Sequence, residues 1–273
     1  MITFPNAKIN LGLNIVERRP DGYHNIQTVF YPIPLTDVLE IVPAAGETSL
    51  TCYGHAVDCP VEKNLVMRAY RLLQQQRHDL PPVEMHLYKH IPDGAGLGGG
   101  SSDAAHALMM LNQMFDLGLP QTQLAGLAST LGADCAFFVY NRPMLATGIG
   151  DVLSPVAVDL SGKTLLLVKP PVGVDTRTAY SRVVPAAPAV SLADTISLPL
   201  SSWDGLLNND FEPSVFAAVP QLWLIKARLL DAGAQYAAMS GSGSTVFGIF
   251  DRDNLADVAA DTFADCATFV LHL

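Results

Sequence analysis

Residues Pro92, Asp93, Gly94, Ala95, Gly96, Leu97, Gly98, Gly99, Gly100, Ser101 and Ser102 form a run in which five of eleven are glycine. An alternating apolar run, 83–90, precedes it and an Ala/Leu-rich helical run, 103–115, follows. Strand, glycine loop and helix in that order aim backbone N–H groups and a helix N-terminus at one point, a ready site for phosphate. Glycine serves there because a side chain blocks the approach of backbone to ligand and because such loops use positive φ.

Neither standard phosphate motif is complete. Gly94, Gly96 and Gly99 fit the dinucleotide pattern G-x-G-x-x-G, with Asp116 downstream, but no β-α-β pattern is read ahead of them. The Walker pattern nearly fits 94–101, yet Gly100 stands where its lysine belongs. A cation for the terminal phosphates must then come from elsewhere. A flexible glycine linker is the competing reading, and the flanking strand and helix speak against it.

Other residues could complete such a site. Along 7–15, Ile9, Leu11, Leu13 and Ile15 share one strand face, while Lys8, Asn10, Gly12 and Asn14 share the other. That second face reads as either a solvated sheet surface or a cleft lining to which Lys8 brings the missing charge. Asp21-Gly22-Tyr23-His24 is a turn presenting an aromatic ring and an imidazole. Asp134 is set between a helix stop at Gly132, suited to a left-handed position, and an apolar run at 136–140 read as a strand. It is either a cap, a structural ion partner or a carboxylate placed for chemistry. Ser240-Gly241-Ser242-Gly243-Ser244 is a second small-residue loop, either a further backbone cradle or a tight turn before a strand at 245–250. His86 and His90, about 13 Å apart along a strand, cannot share one zinc ion.

The elements that must hold these residues are legible from period and punctuation. Strands are predicted near 27–31, 38–42 and 49–53 as an antiparallel series, and a one-faced helix at 64–76. Helices are predicted at 103–115, with Ser101, Ser102 and Asp103 as capping oxygens, and at 121–131. Residues 151–163 are irregular and mark a domain boundary. The second half is read as strands at 164–168, 245–250 and 268–272 with helices at 220–231 and 254–263, an α+β layer. Residues 185–199, rich in Ala, Pro and Ser, read as a connection.

With 273 residues, 49% apolar and 15% charged, the chain can bury a sizeable core. Its net charge of −10 disfavours nucleic acid and anionic membranes as partners, while leaving room for a phosphorylated small molecule. Four cysteines without C-x-x-C or zinc spacing, no signal peptide and no long apolar run predict a soluble cytoplasmic protein with reduced thiols.

Three segments together, Pro5-x-Ala7-Lys8-Ile9-Asn10, the loop 92–102 and Ser240-Gly241-Ser242-Gly243, resemble the three motifs of the GHMP small-molecule kinases. The Asp-Gly-Tyr-His element and Leu131-Gly132-Ala133-Asp134 are most similar to the branch acting on a cytidine diphosphate sugar-alcohol. Cys135-Ala136 in place of Val-Pro, and Asp103 where Asn is common, depart from that branch. The resemblance implies an α+β, two-domain GHMP kinase fold with the active site in the inter-domain cleft. Residues 1–155 would be the ATP-binding domain and 156–273 the substrate-side domain. It implies phosphorylation of the acceptor's 2-hydroxyl in non-mevalonate isoprenoid precursor synthesis, with ATP and Mg²⁺, by a monomer or weak homodimer. Lys8 and Asp134 become the catalytic pair, and the glycine loop with Asn64 the ATP site. Asn10, Tyr23, His24, Thr176, Tyr180, Gly241 and Ser242 become the acceptor site, while the Mg²⁺ ligands stay unassigned. Two alternatives stay open: a GHMP kinase for another alcohol, or a nicotinamide-dependent oxidoreductase.

Overall fold

The computed structural model describes residues 1–57, 59–175, 179–180, 182–188, 190–251 and 255–273. Two compact units emerge. The first comprises Met1–Ala7, Leu35–Asp93 and Gly98–Arg142; the second comprises Lys8–Pro34, Gly94–Leu97 and Pro143–Leu273. The units are therefore interleaved in sequence. Residues 8–34 and 94–97 group with the C-terminal half because their backbone partners lie there.

The chain begins with β1 (Ile2–Thr3), β2 (Asn6–Arg18), β3 (His24–Thr36), β4 (Val38–Pro43) and β5 (Ser49–Gly54). Helix α1 (Leu65–Gln76), strand β6 (Val83–Lys89) and helices α2 (Gly99–Met114), α3 (Gln121–Leu131) and α4 (Cys135–Tyr140) follow. In the first unit the sheet order is β1-β4-β6-β5, and β5 runs parallel to β6. The expected antiparallel series ends there, because α1 supplies the crossover that a parallel pair requires. One β-α-β unit thus does precede the glycine loop. Among the described residues no further strand joins that sheet after α2, so the loop is not the opening turn of a doubly wound dinucleotide fold.

Residues 135–140 form a short helix, not the predicted strand. All but Tyr140 are buried, packed against α2 and α3, and a short apolar run has no period to distinguish the two states. Gly132 likewise departs from expectation: its φ of −176° is extended backbone.

The second unit adds β7 (Met144–Thr147), β8 (Val152–Pro155) and β9 (Thr164–Lys169). After these come α5 (Leu192–Ile196), α6 (Glu212–Ala218), α7 (Pro220–Asp231), β10 (Tyr236–Met239), β11 (Val246–Phe250), α8 (Ala256–Thr262) and β12 (Ala267–His272). One sheet has the order β2-β3-β7-β8 and another, wholly antiparallel, β10-β11-β9-β12. Leu222, Ile225 and Leu229 of α7 join Leu166, Val168, Val246 and Phe250 in one apolar cluster. β7, β8, β10, α5 and α6 were not legible in the sequence. Among the described residues no helix is long and apolar enough to cross a membrane.

Candidate functional site

The glycine loop adopts the geometry its composition demands. Gly94, Gly96 and Gly98 all have positive φ (58°, 76° and 71°), alternating with residues that do not, so successive N–H groups converge. Ala95 and Leu97 bury their side chains and anchor the loop. Helix α2 begins at Gly99 behind Gly98, which has no side chain with which to cap it. The expected caps lie further along: Ser102 and Asp103 are buried inside the helix. Helical geometry leaves the N–H groups of Gly99, Gly100 and Ser101 without an acceptor inside the helix, which suits an anion.

Beneath the loop in the first unit lies a charged cluster. Lys89 Nζ bridges the carboxylates of Asp37 and Asp103, the latter at 2.7 Å, and all three side chains are at most 4% exposed. Asp37 Oδ1 also accepts the N–H groups of His90 (2.6 Å) and Ile91 (2.8 Å), fixing the backbone that enters the loop. Burial pushes the Asp103 carboxyl up to about 7; Lys89 opposes that push and Asp37 adds to it. Its Oδ1 is buried without a hydrogen-bond partner. This cluster was missed, although a signal existed: Lys89 falls in the same strand phase as the buried Val83, Met85 and Leu87.

Asn64 caps α1 by accepting the Val66 N–H at 2.9 Å, while its amide nitrogen faces Cys52 Sγ at 3.8 Å. It lines a cavity of about 140 Å³ with Leu65, Leu87, Lys89, Asp93, Gly100 and Asp103. Pro92 is half-buried at the loop entrance. Asp134 opens α4 without capping it, and the turn it occupies lies beside the start of α2: a Cβ on Gly132 would stand 3.8 Å from Ser101 Oγ.

In the second unit, β2 is buried on both faces, so the solvated-face reading of Lys8 and Asn10 does not hold; each is 3% exposed. Lys8 Nζ donates to Asn10 Oδ1 at 2.5 Å and sits 5.0 Å from the Phe30 ring centroid. Asn10 Nδ2 donates to Thr28 Oγ1 (2.9 Å), whose hydroxyl donates to Gly12 O (2.5 Å). The Asn10 N–H reaches Ser240 Oγ at 3.3 Å, and that hydroxyl donates to Gly96 O at 2.8 Å. Lys8 N–H donates to Leu97 O and Thr245 N–H to Ala95 O. Strand β2, the tip 94–97 and the turn 240–243 are therefore brought together. Gly241 is buried and Ser242 half-buried in that turn. A Cβ on Gly96 would lie 2.0 Å from Ser240 O, so only glycine permits the approach.

His24 and Tyr180 are also brought together, their rings stacked with centroids 4.9 Å apart and an interplanar angle of 21°. Tyr180 packs edge-on against Phe211. Tyr23 is 62% exposed and is outside that stack. Burial, with Arg18 nearby, holds the His24 imidazole below its ordinary pKa, so it is neutral at pH 7. Thr176 lies outside the described residues.

Comparison with known proteins agrees with this geometry. Residues 64–142 match the GHMP kinases N terminal domain and residues 197–266 the GHMP kinases C terminal domain. The chain is 55% identical over 252 residues to the 4-diphosphocytidyl-2-C-methyl-D-erythritol kinase of Parabacteroides distasonis, covering 92% of each. It is 55% identical over 256 residues to that of Bacteroides fragilis strain YCH46, covering 93% of each. A crystal structure of 4-(cytidine 5'-diphospho)-2C-methyl-D-erythritol kinase superposes with a TM-score of 0.81 at 32% identity, over 99% of this chain and 98% of that one. Mevalonate kinase of Methanococcus jannaschii, 12% identical over 100% of this chain and 98% of its own with a TM-score of 0.74, shares the fold. With a mixed sheet in place of the doubly wound one a nicotinamide enzyme needs, and with both halves matched, the chain belongs to the GHMP kinases, within their 4-diphosphocytidyl-2-C-methyl-D-erythritol kinase family.

Proposed function

We propose that this small-molecule kinase transfers the γ-phosphoryl group of ATP to the 2-hydroxyl of 4-diphosphocytidyl-2-C-methyl-D-erythritol, in non-mevalonate isoprenoid precursor synthesis. The observation that carries the acceptor's identity is the His24–Tyr180 pair. Two aromatic planes nearly parallel, one of them a neutral imidazole with a donor and an acceptor, suit a cytosine, which offers a face and a polar edge. Admitting the base between them requires the rings to part by about one base thickness. Tyr23 and Thr176 belong to the same acceptor site in this reading, with Gly241 and Ser242 at its far end.

Phosphoryl transfer asks a protein mainly for positioning and charge neutralisation. The loop 92–102 and the free N–H groups at the start of α2 bind the triphosphate, and the Asn64 cavity takes the adenine. Asp134 orients the acceptor hydroxyl and receives its proton; Lys8 neutralises charge on the moving group and supplies the cation that Gly100 cannot. Asn10 has one Nδ2 hydrogen left for the methylerythritol end, the other being spent on Thr28. Among the described residues no three His, Cys, Asp or Glu side chains converge as a metal cage. A Mg²⁺ ion brought with ATP would offset charge on the phosphates held by the loop 92–102, its protein ligands unassigned. The enzyme is read as cytoplasmic, a monomer or weak homodimer.

ADP release measured with and without the acceptor tests this. Turnover should require the cytidine-bearing alcohol, and Asp134→Ala should lose about 10²–10⁴-fold in turnover while still binding ATP. Equal turnover of mevalonate or homoserine, or an unaffected Asp134→Ala, rejects the proposal.

A further inference from the structure

Behind the turn 240–243 stands a buried asparagine that no motif marks. Asn209, 3% exposed, donates both Nδ2 hydrogens to that turn, to Met239 O at 2.7 Å and to Gly241 O at 2.8 Å. Its Oδ1 accepts the Phe211 N–H at 3.0 Å at the start of α6. Three residues on, Glu212 Oε1 accepts the Met239 N–H at 2.8 Å, and Lys226 of α7 holds Glu212 Oε2 at 2.6 Å. The same segment grips β2 from the other direction. Leu13 N–H donates to Asn208 O, and Asp210 N–H to Leu13 O, both at 2.8 Å; Asp210 Oδ2 accepts the Ile15 N–H at 2.7 Å.

A helix cap needs only the asparagine oxygen. Spending both amide hydrogens on two carbonyls, one at the end of β10 and one inside the turn, does something more: it fixes the spacing of the 239–240 and 241–242 peptide planes, which bracket Ser240 and Gly241. The Ser240 hydroxyl in turn meets the Asn10 N–H and Gly96 O. We infer that Asn209, supported by Glu212, is a positioning residue that sets the turn 240–243 against β2, and through it the acceptor's seat. The inference rests on the reading above that this turn contacts the acceptor. Because Asn209 bonds the turn directly and meets the loop assigned to ATP through Ser240 and Gly96 O, the larger effect of losing Asn209 falls on the acceptor side.

The experiment is steady-state kinetics of Asn209→Ala with ATP and 4-diphosphocytidyl-2-C-methyl-D-erythritol varied separately. Wild-type turnover of that acceptor is the first arm, and its absence counts against the proposed function, not against Asn209. Given wild-type turnover, the acceptor KM should rise at least about fivefold with the ATP KM held within about twofold. Mere loss of folded enzyme lowers kcat and leaves both KM values alone, so that pattern, or an equal rise in both, overturns the inference. Should Asn209→Ala fail to accumulate folded, Asn209→Ser decides: its hydroxyl can serve one carbonyl at most, and the same KM split is required of it. Asn209→Asp places lone pairs against both carbonyls and should shift the acceptor KM further than alanine does; a smaller shift also overturns it.

Discussion

Two buried polar clusters sit behind the two backbone turns of this kinase, and they are made of opposite chemistry. In the first unit one ammonium, Lys89, is set between two carboxylates, Asp37 and Asp103, and Asp103 Oδ1 is left unpartnered. In the second, the links joining Asn10, Thr28, Ser240 and Asn209 to the turns are neutral amide and hydroxyl bonds, with ions at the margins, where Lys8 donates to Asn10 and Glu212 accepts the Met239 N–H. A charged cluster fixes backbone strongly, as Asp37 does at His90 and Ile91, but it carries the desolvation cost of every ion and a dependence on pH. A neutral network costs less to bury and holds the same shape across the working pH range. The loop assigned to phosphate is thus backed mainly by charge, and the turn assigned to the acceptor mainly by directed hydrogen bonds.

The largest effect should come from Lys89→Met. Removing the one cation of this cluster strands two buried carboxylates and should cost about 3–5 kcal/mol in urea unfolding at pH 7.5, less at pH 5, where Asp103 is protonated. A cost under about 1 kcal/mol would mean the charges do not hold the loop.

Glycine positions sharpen the contrast next. Gly94 and Gly96 share a positive φ, but a Cβ on Gly94 meets nothing within 4 Å while one on Gly96 strikes Ser240 O. Gly94→Ala should lose about 1 kcal/mol from backbone strain alone, and Gly96→Ala about 2–3 kcal/mol, because the turn must also retreat. Equal losses in thermal melts would show that the packing of tip on turn contributes nothing. In the neutral network, Thr28→Val leaves Asn10 Nδ2 and Gly12 O without that partner. It should cost about 1–2 kcal/mol, by the same amount at pH 5 and pH 8.

The remaining effect is one of pH, and concerns Asp103. Its carboxyl, raised to about 7 in the fold, is protonated there between its ordinary value and 7 while the unfolded chain's is ionised. Through this group stability is therefore highest below the ordinary carboxylate range, falls as pH rises toward 7, and is level above. Asp103→Asn removes that slope, so relative to wild type the variant should gain about 2–3 kcal/mol on going from pH 5 to pH 8. Parallel pH profiles would show that Asp103 is already ionised at pH 5.

Much of the site was legible because it is local. The loop 92–102 declares itself by glycine content between a strand and a helix, and α7 by the proline that opens it. Residues 136–140 misled because a run buried on every side has no period. Ser101, Ser102 and Asp103 misled because glycine, not an oxygen, occupies the cap. Lys89 was hidden by its charge despite its apolar phase, and Asn209 by having partners some thirty residues away.

By itself, then, the sequence determined the glycine loop, the alternation of β2 and the family, since period and glycine punctuation act over a few residues. Only the tertiary structure decided that both faces of β2 are buried, that Lys89 lies between two acids and that Asn209 holds a distant turn. Burial and buried hydrogen bonds depend on which remote segments close over a residue, and no local pattern records that.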